Sequence, residues 1–130
     1  MIKGFVIGWL STVFCLFLYS FTQIDLGLTL TRVSWWQGIQ KSFQQIGYFN
    51  RPLSAGLYLL ILVLLFVFYF LLLRAVRTGR LRERQIWHLI LATAGLLWLS
   101  YNAFSHDLFN YIFDARIFTY YHQNPWQYKA

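Results

Sequence analysis

The chain has 130 residues, of which 58% are hydrophobic and only 12% are charged, with a mean hydropathy of +0.49. Soluble domains carry about 25% charged residues, so this composition argues against a water-soluble domain and indicates an integral membrane protein. In a soluble protein the net charge of +7 would suggest nucleic-acid binding. In a membrane protein positive charge mainly sets topology, so we expect a lipid bilayer and no nucleic acid as partner.

Residues 4–22 form the first uncharged apolar run, directly after Lys3. Nineteen residues of helix rise about 28 Å, which is enough to cross a hydrocarbon core. A signal peptide is the competing interpretation. The run is long for a signal sequence, however, and its exit lacks the small-x-small cleavage pattern. We therefore predict a transmembrane helix over 4–22.

Residues 35–49 show helical spacing of apolar and polar residues, with Ser34 as the expected N-cap. The pattern predicts an amphipathic helix that lies in the membrane interface. A helix packed on other protein is the alternative, and it would also lie near the membrane. The apolar positions of this helix are Trp35, Trp36, Ile39, Phe43, Ile46 and Phe49.

Two further apolar runs predict transmembrane helices over 53–73 and 86–104. Pro52 precedes the first of them and suits the first turn of a helix. The link between the two runs, residues 74–85, is short and strongly basic, with Glu83 as its only acid. Its arginines are Arg74, Arg77, Arg80, Arg82 and Arg84.

The distribution of basic residues predicts the orientation in the membrane. Positively charged loops stay in the cytoplasm, so the N-terminus and residues 74–85 are expected to be cytoplasmic. Residues 23–52 and 105–130 then fall on the extracytoplasmic face of the cell membrane. The alternative role of the 74–85 link is binding of anionic lipid headgroups in its own right.

The segment after the third apolar run is polar and acidic. Asp107 and Asp114 are seven residues apart, which is close to two helical turns, so both fall on one helical face with Asn110 and Tyr111. We predict a helix from about Ser105, as N-cap, to Tyr121. Acidic groups at a membrane boundary are costly unless they are hydrated or paired, which makes this face the best functional candidate.

Simpler roles for these acids stay open. Asp107 would favour the first turn of a helix through the helix dipole, and Asp114 could form an ion pair with a neighbouring segment. His106 and His122 could join the two acids as metal ligands, but their spacing matches no known ligand pattern. We therefore assign no metal-binding residues, and the sequence leaves the cofactor unknown, a divalent metal included.

Three stretches of this segment resemble a signature of the GT-C superfamily of membrane glycosyltransferases, most closely the polyprenyl-phosphate-dependent mannosyltransferases. They are 105–111 (SHDLFNY), 114–116 (DAR) and 124–126 (NPW). Members of that superfamily transfer a sugar from a lipid-phosphate donor to an acceptor, a glycan or a lipid, on the extracytoplasmic face. Trp126 departs from the pattern, because tyrosine is commoner there.

The resemblance also implies roles for individual residues. Asp107 would be the catalytic carboxylate that takes a proton from the acceptor hydroxyl, and Arg116 would contact the donor phosphate. Tyr111 and Asp114 would orient nearby groups, and Asn124 would shape the loop behind them. Asp114, Arg116, Tyr111 and Asn124 are thus the implied substrate-binding residues.

The sequence therefore predicts an all-α integral membrane protein with three transmembrane helices, one interfacial helix and an extracytoplasmic helix that carries the acidic motif. Members of the superfamily have many more spans, so we expect the chain to be the N-terminal portion of a longer glycosyltransferase. The alternative function is a small non-enzymatic membrane protein that acts as an accessory subunit or helix-packing partner.

Overall fold

A computed structural model of the chain describes residues 2–101, 107–122 and 124. Within the helices, the side chains of residues 2, 107–111 and 113 lie outside this description. The described residues are helical, with no strand among them. The helices are α1 (Ile2–Ser20), α2 (Ser34–Gln44), α3 (Arg51–Arg77), α4 (Glu83–Trp98) and α5 (Asp107–Tyr121). A 3₁₀ turn, Phe21–Gln23, continues α1, and a π-helical turn, Gln45–Phe49, continues α2.

Two of the described helices are long and apolar enough to cross a membrane, at Lys3–Gln23 and at Arg51–Arg77. The prediction of two apolar helices at 4–22 and 53–73 is confirmed, although α3 extends further at both ends. Pro52 lies in the first turn of α3, where its missing N–H costs nothing, and the Asn50 side chain accepts a hydrogen bond from Leu53 N at 3.4 Å.

α3 ends through a glycine turn that the sequence analysis did not identify. Gly79 has a φ of 66°, in the left-handed region that favours glycine. The Gly79 N–H donates to the Val76 carbonyl and the Arg80 N–H donates to the Ala75 carbonyl, both at 2.9 Å. This double closure of the last turn is a Schellman motif, and it sends the chain back towards α4.

α4 differs from the predicted span over 86–104. It begins at Glu83 and ends at Trp98, so its 16 residues rise about 24 Å, less than a hydrocarbon core. The Ser100 N–H donates to the Leu97 carbonyl in a tight turn, and the Tyr101 N–H donates to Ser20 Oγ at 2.9 Å. These contacts turn the chain onto the end of α1, which stops the helix. Residues 102–104 lie outside the described part of the chain.

α1 lies between α3 and α4, antiparallel to the first and parallel to the second. Gly8 of α1 faces the Phe68 ring so closely that a Cβ there would overlap it, and Trp9 Nε1 donates to Thr93 Oγ1 of α4 at 2.9 Å. Small residues and interhelical hydrogen bonds of this kind hold helices together in membranes, where apolar burial between helices gains little.

At the N-terminal end of α1 a small apolar cluster joins the three helices. Its buried members are Leu72 and Ala75 of α3 and Leu81 of the following loop, and Phe5 and Trp9 pack against them. Because α1 and α4 are parallel, this end also gathers most of the basic residues, which we call the basic end. The basic end consists of Lys3, Arg74, Arg77, Arg80, Arg82 and Arg84.

The helices bury few of their apolar side chains. Leu59, Phe66 and Phe70 of α3 are each about 60% exposed (62%, 61% and 61%), and Trp98 at the end of α4 is 87% exposed. Between α3 and α4 lies an open groove of about 540 Å³, lined almost entirely by apolar side chains with Trp9 among them. A surface of this kind is unfavourable in water and suits a lipid environment.

The predicted helix over 35–49 is present as α2 and its π-helical turn, but Ser34 is not its N-cap. Val33 occupies the cap position with an extended backbone, and no side chain caps the helix there. The preceding turn is instead closed by Thr31, whose hydroxyl accepts from Val33 N and whose carbonyl accepts from Gln37 Nε2. Ser34 is therefore the first helical residue, which corrects the prediction.

Candidate functional site

Polar side chains meet at the end of the bundle opposite the basic end. The Tyr19 hydroxyl of α1 and the Ser54 hydroxyl of α3 are hydrogen-bonded at 2.9 Å, and Gln23 Nε2 donates to Ser54 Oγ at 3.4 Å. Thr22 Oγ1 donates to the Tyr19 carbonyl at 2.7 Å. We call this group, with Ser20, Gln44 and Tyr48, the polar layer.

Glutamines of α2 attach the segment between α1 and α2 to the polar layer. Gln44 Nε2 donates to the carbonyls of Ile24 and Asp25, at 3.3 and 2.9 Å. Gln40 Nε2 donates to the Leu28 carbonyl, and Gln40 Oε1 accepts from Leu30 N at 3.4 Å. Amide side chains suit this task because they donate and accept at once.

The burial pattern of α2 is opposite to that of a helix on a soluble protein. Gln40 and Gln44 are buried, whereas Trp35 is 65% exposed, Ile39 is 39% exposed and Phe49 is 75% exposed. The glutamines face other protein because they bind backbone carbonyls. Trp36, Phe43 and Ile46 are half-buried, and the Trp36 ring packs on that of Phe21, so the apolar residues are divided between the bundle and the outer surface.

Gly47 allows the π-helical turn to pack directly on the end of α1. A Cβ at Gly47 would lie 1.9 Å from the Thr22 carbonyl oxygen and 2.7 Å from its carbon. Both neighbours are backbone atoms, so the clash cannot be relieved by rotating a side chain. Only glycine fits between these two segments at this distance.

Tyr48 links the polar layer to the residues that lead towards the predicted motif. Its hydroxyl donates to the Gln23 carbonyl at 3.2 Å. Burial raises the pKa of Tyr48, and the nearby Asp25 and Tyr101 raise it further. The phenol therefore stays neutral and keeps its donor at physiological pH.

Ser100 and Tyr101 have buried hydroxyl oxygens that make no hydrogen bond within the described part of the chain. Buried hydroxyls normally have a partner, because leaving one unmade costs about 1–3 kcal/mol. Their position beside Ser20, directly before the predicted motif, makes this end of the bundle the most polar candidate site.

The motif segment itself forms α5, so the helix predicted to end at Tyr121 is confirmed over Asp107–Tyr121. Ser105, its expected N-cap, lies outside the described residues, as does His106. On an uninterrupted helix, positions 107, 111 and 114 fall on one side. About 10 Å along the axis separates the first of these positions from the last, and the side chains at 107 and 111 lie outside the described part of the chain.

Arg116 does not share that side of α5. It is nine positions after Asp107, which is half a turn away from it around the helix. Its guanidinium carbon lies 5.9 Å from the centre of the Tyr120 ring, in a cation–π contact, and both side chains are exposed. Asp114 is exposed as well, so within the helix it does not pair with Arg116.

α5 ends at His122, which has a φ of 52°. This left-handed residue after Tyr121 is a usual way to terminate a helix. Asn124 is exposed, and Pro125 and Trp126 lie outside the described residues. In the described part of the chain no three His, Cys, Asp or Glu side chains come close enough to hold a metal ion.

Comparison of the chain with protein-family models, with curated proteins and with solved structures gives no match. The resemblance to GT-C glycosyltransferases therefore stays a prediction that depends on residues 105–126.

Sequence reasoning missed the polar layer. Its members lie at the ends of apolar runs, where isolated Ser, Thr, Tyr and Gln residues look like ordinary interfacial groups. One signal was available. The glutamines Gln37, Gln40 and Gln44 recur at helical spacing on one side of α2, and they bond to the segment before that helix.

Proposed function

We propose that this chain is an integral membrane protein whose polar layer faces the extracytoplasmic side and whose α5 carries part of a sugar-transfer site. The observation that carries the proposal is α5 itself. It is a continuous helix over Asp107–Tyr121, and on such a helix positions 107, 111 and 114, which the GT-C resemblance marks, fall on one side.

Membrane embedding is supported by the distribution of exposed and buried groups. α1, α3 and α4 expose apolar side chains, and α2 buries Gln40 and Gln44 while it exposes Trp35. We infer that α4 crosses the membrane with α1 and α3. The basic end would then lie in the cytoplasm.

In this proposal Asp107 acts as general base on the acceptor hydroxyl, because a carboxylate near a membrane can be tuned by partial desolvation. Asp114, about 10 Å further along α5, would contact a different part of an extended lipid-phosphate-sugar donor. Arg116 would bind the donor phosphate where that group extends to the other side of α5.

The deciding experiment is sugar transfer in membranes that contain the protein, with a polyprenyl-phosphate sugar as donor. Asp107→Asn removes the base and keeps the shape of the side chain, so we expect transfer to fall at least 100-fold with unchanged membrane insertion. Glu83→Gln, which changes an acid at the basic end, is the matched control. Full transfer by Asp107→Asn would disprove the catalytic assignment.

Orientation is tested separately by cysteine labelling. Cys15 is exposed on α1 and is first replaced by alanine. A membrane-impermeant maleimide added to intact cells should label Lys41→Cys, in α2, and should leave Thr78→Cys unlabelled. Labelling of Thr78→Cys alone would reverse the proposed topology.

A second candidate function is supported by the groove between α3 and α4. Its apolar lining over about 540 Å³ fits a transmembrane helix of another subunit, as expected of an accessory protein. Under this hypothesis Ala94→Phe, which fills the groove, should prevent copurification of a larger partner, and Asp107→Asn should not affect it.

A further inference from the structure

A second groove, between α1 and α4, changes from polar to apolar along its length. It has a volume of about 450 Å³. Lys3, Gln85 and His88 line it at the basic end, and Ile7, Leu10 and Ala92 line it towards the middle of the helices. The lining of α1 from Lys3 to Leu10 covers about 10 Å, which matches the upper part of an acyl chain.

The polar groups at the mouth of this groove have complementary hydrogen-bonding roles. Gln85 Oε1 accepts from the Arg82 N–H at 3.0 Å, so the amide nitrogen of Gln85 is the atom that can donate to a ligand. His88 Nδ1 lies 2.6 Å from the Arg84 carbonyl. Because a carbonyl only accepts, Nδ1 carries a proton, and Nε2 is the ring nitrogen left for a ligand.

Charge favours an anion at this mouth. Lys3 is the charged side chain in its lining, and Glu83 is the one acid between residues 74 and 98. Each Lys or Arg near an anionic membrane surface contributes about 1 kcal/mol of attraction. The groove between α3 and α4, by contrast, has no charged side chain in its lining.

We propose that the α1–α4 groove binds one anionic phospholipid with a hydroxyl-bearing headgroup. Lys3 and the Gln85 amide bind its phosphate, His88 Nε2 hydrogen-bonds with a headgroup hydroxyl, and one acyl chain lies between Ile7, Leu10 and Ala92. The proposal depends on membrane embedding and is independent of sugar transfer, so the two can fail separately.

The test is retention of lipid by the purified full chain, measured by native mass spectrometry after titration with phosphatidylglycerol or phosphatidylcholine. We expect the chain to retain one phosphatidylglycerol molecule and to bind phosphatidylcholine at least fivefold more weakly. Lys3→Gln should weaken the binding of phosphatidylglycerol about fivefold. Arg77→Gln removes an equal charge at the basic end, but Arg77 lies outside the groove lining. This variant should change the binding of phosphatidylglycerol less than twofold.

The acyl chain is tested by filling the apolar part of the groove. Ala92→Phe should abolish retention, and Ala94→Phe, in the other groove, should not; tryptophan fluorescence confirms that both variants are folded. Equal effects of Lys3→Gln and Arg77→Gln would overturn the proposal in favour of diffuse attraction. Equal retention of both lipids, or binding of glycerol phosphate as tightly as the lipid, would overturn it too.

Discussion

The two ends of the helical bundle are held together by different interactions. In the polar layer, hydrogen bonds join residues distant in sequence, such as Tyr19 with Ser54 and Gln44 with Ile24. At the basic end a Schellman turn and an apolar cluster around Leu81 connect α3 to α4 through five residues, 78–82. The polar layer therefore specifies one arrangement, because its partners must meet with correct geometry, whereas the basic end is specified mainly by a local turn.

The difference bears on the proposed function because Tyr101, which precedes the predicted motif in the sequence, bonds to Ser20 in the polar layer. A site that transfers groups needs side chains held within fractions of an ångström by their surroundings. The end with fixed hydrogen-bonding partners provides that support, and the cationic end offers a surface suited to lipid headgroups.

The largest loss of stability is expected from Gly47→Val. Its Cβ would overlap the Thr22 backbone, so the π-helical turn must separate from α1, at a cost of about 3 kcal/mol or more. Unfolding in mixed detergent micelles, followed by tryptophan fluorescence, measures the loss. The control is Gly38→Ala in α2, which has open space around it and should be neutral or stabilising. Unchanged stability of Gly47→Val would show that the polar layer is not rigid.

Gln44→Leu should cause the second largest loss of stability. It leaves the carbonyls of Ile24 and Asp25 without their buried donor, at a cost of about 2 kcal/mol. Hydrogen exchange of residues 24–31 should rise strongly, while exchange in α3 stays unchanged. Gln45→Leu, at an exposed neighbouring position, is the matched control, and an equal rise there would contradict the role of Gln44.

Leu81→Ala probes the basic end. Leu81 is buried against Leu72 and Ala75, and a leucine-to-alanine change in a core costs about 2–5 kcal/mol. Because this cluster is small, we expect the loss of unfolding free energy to lie at the lower limit of that range, about 2 kcal/mol, in the same micelle assay. Leu59→Ala, at an exposed position of α3, should have little effect. A larger loss for Leu81→Ala than for Gly47→Val would reverse the comparison between the two ends.

The smallest effect is expected from Tyr19→Phe, which removes one hydrogen bond to Ser54. Interhelical hydrogen bonds in membrane proteins average about 0.6 kcal/mol, and Gln23 still donates to Ser54 in the variant. A double-mutant cycle with Ser54→Ala isolates the pair. A coupling energy near zero would remove this bond from the set that defines the polar layer.

The sequence alone determined much of this protein. Helix-period and run-length patterns located α1, α2, α3 and α5, because each repeats its apolar or polar residues over many positions. The sequence predicted the helix over 86–104 but not where it ends. In the structure α4 ends at Trp98, and Tyr101 then bonds to Ser20, a contact across 81 positions that an apolar run does not reveal.

Only the tertiary structure decided which residues meet. It showed that Gln40 and Gln44 face inward, because the backbone carbonyls that these two glutamines bind lie on the segment between α1 and α2. Trp35 faces outward. Local pattern thus determines where helices form, and long-range geometry determines which of their side chains can act together.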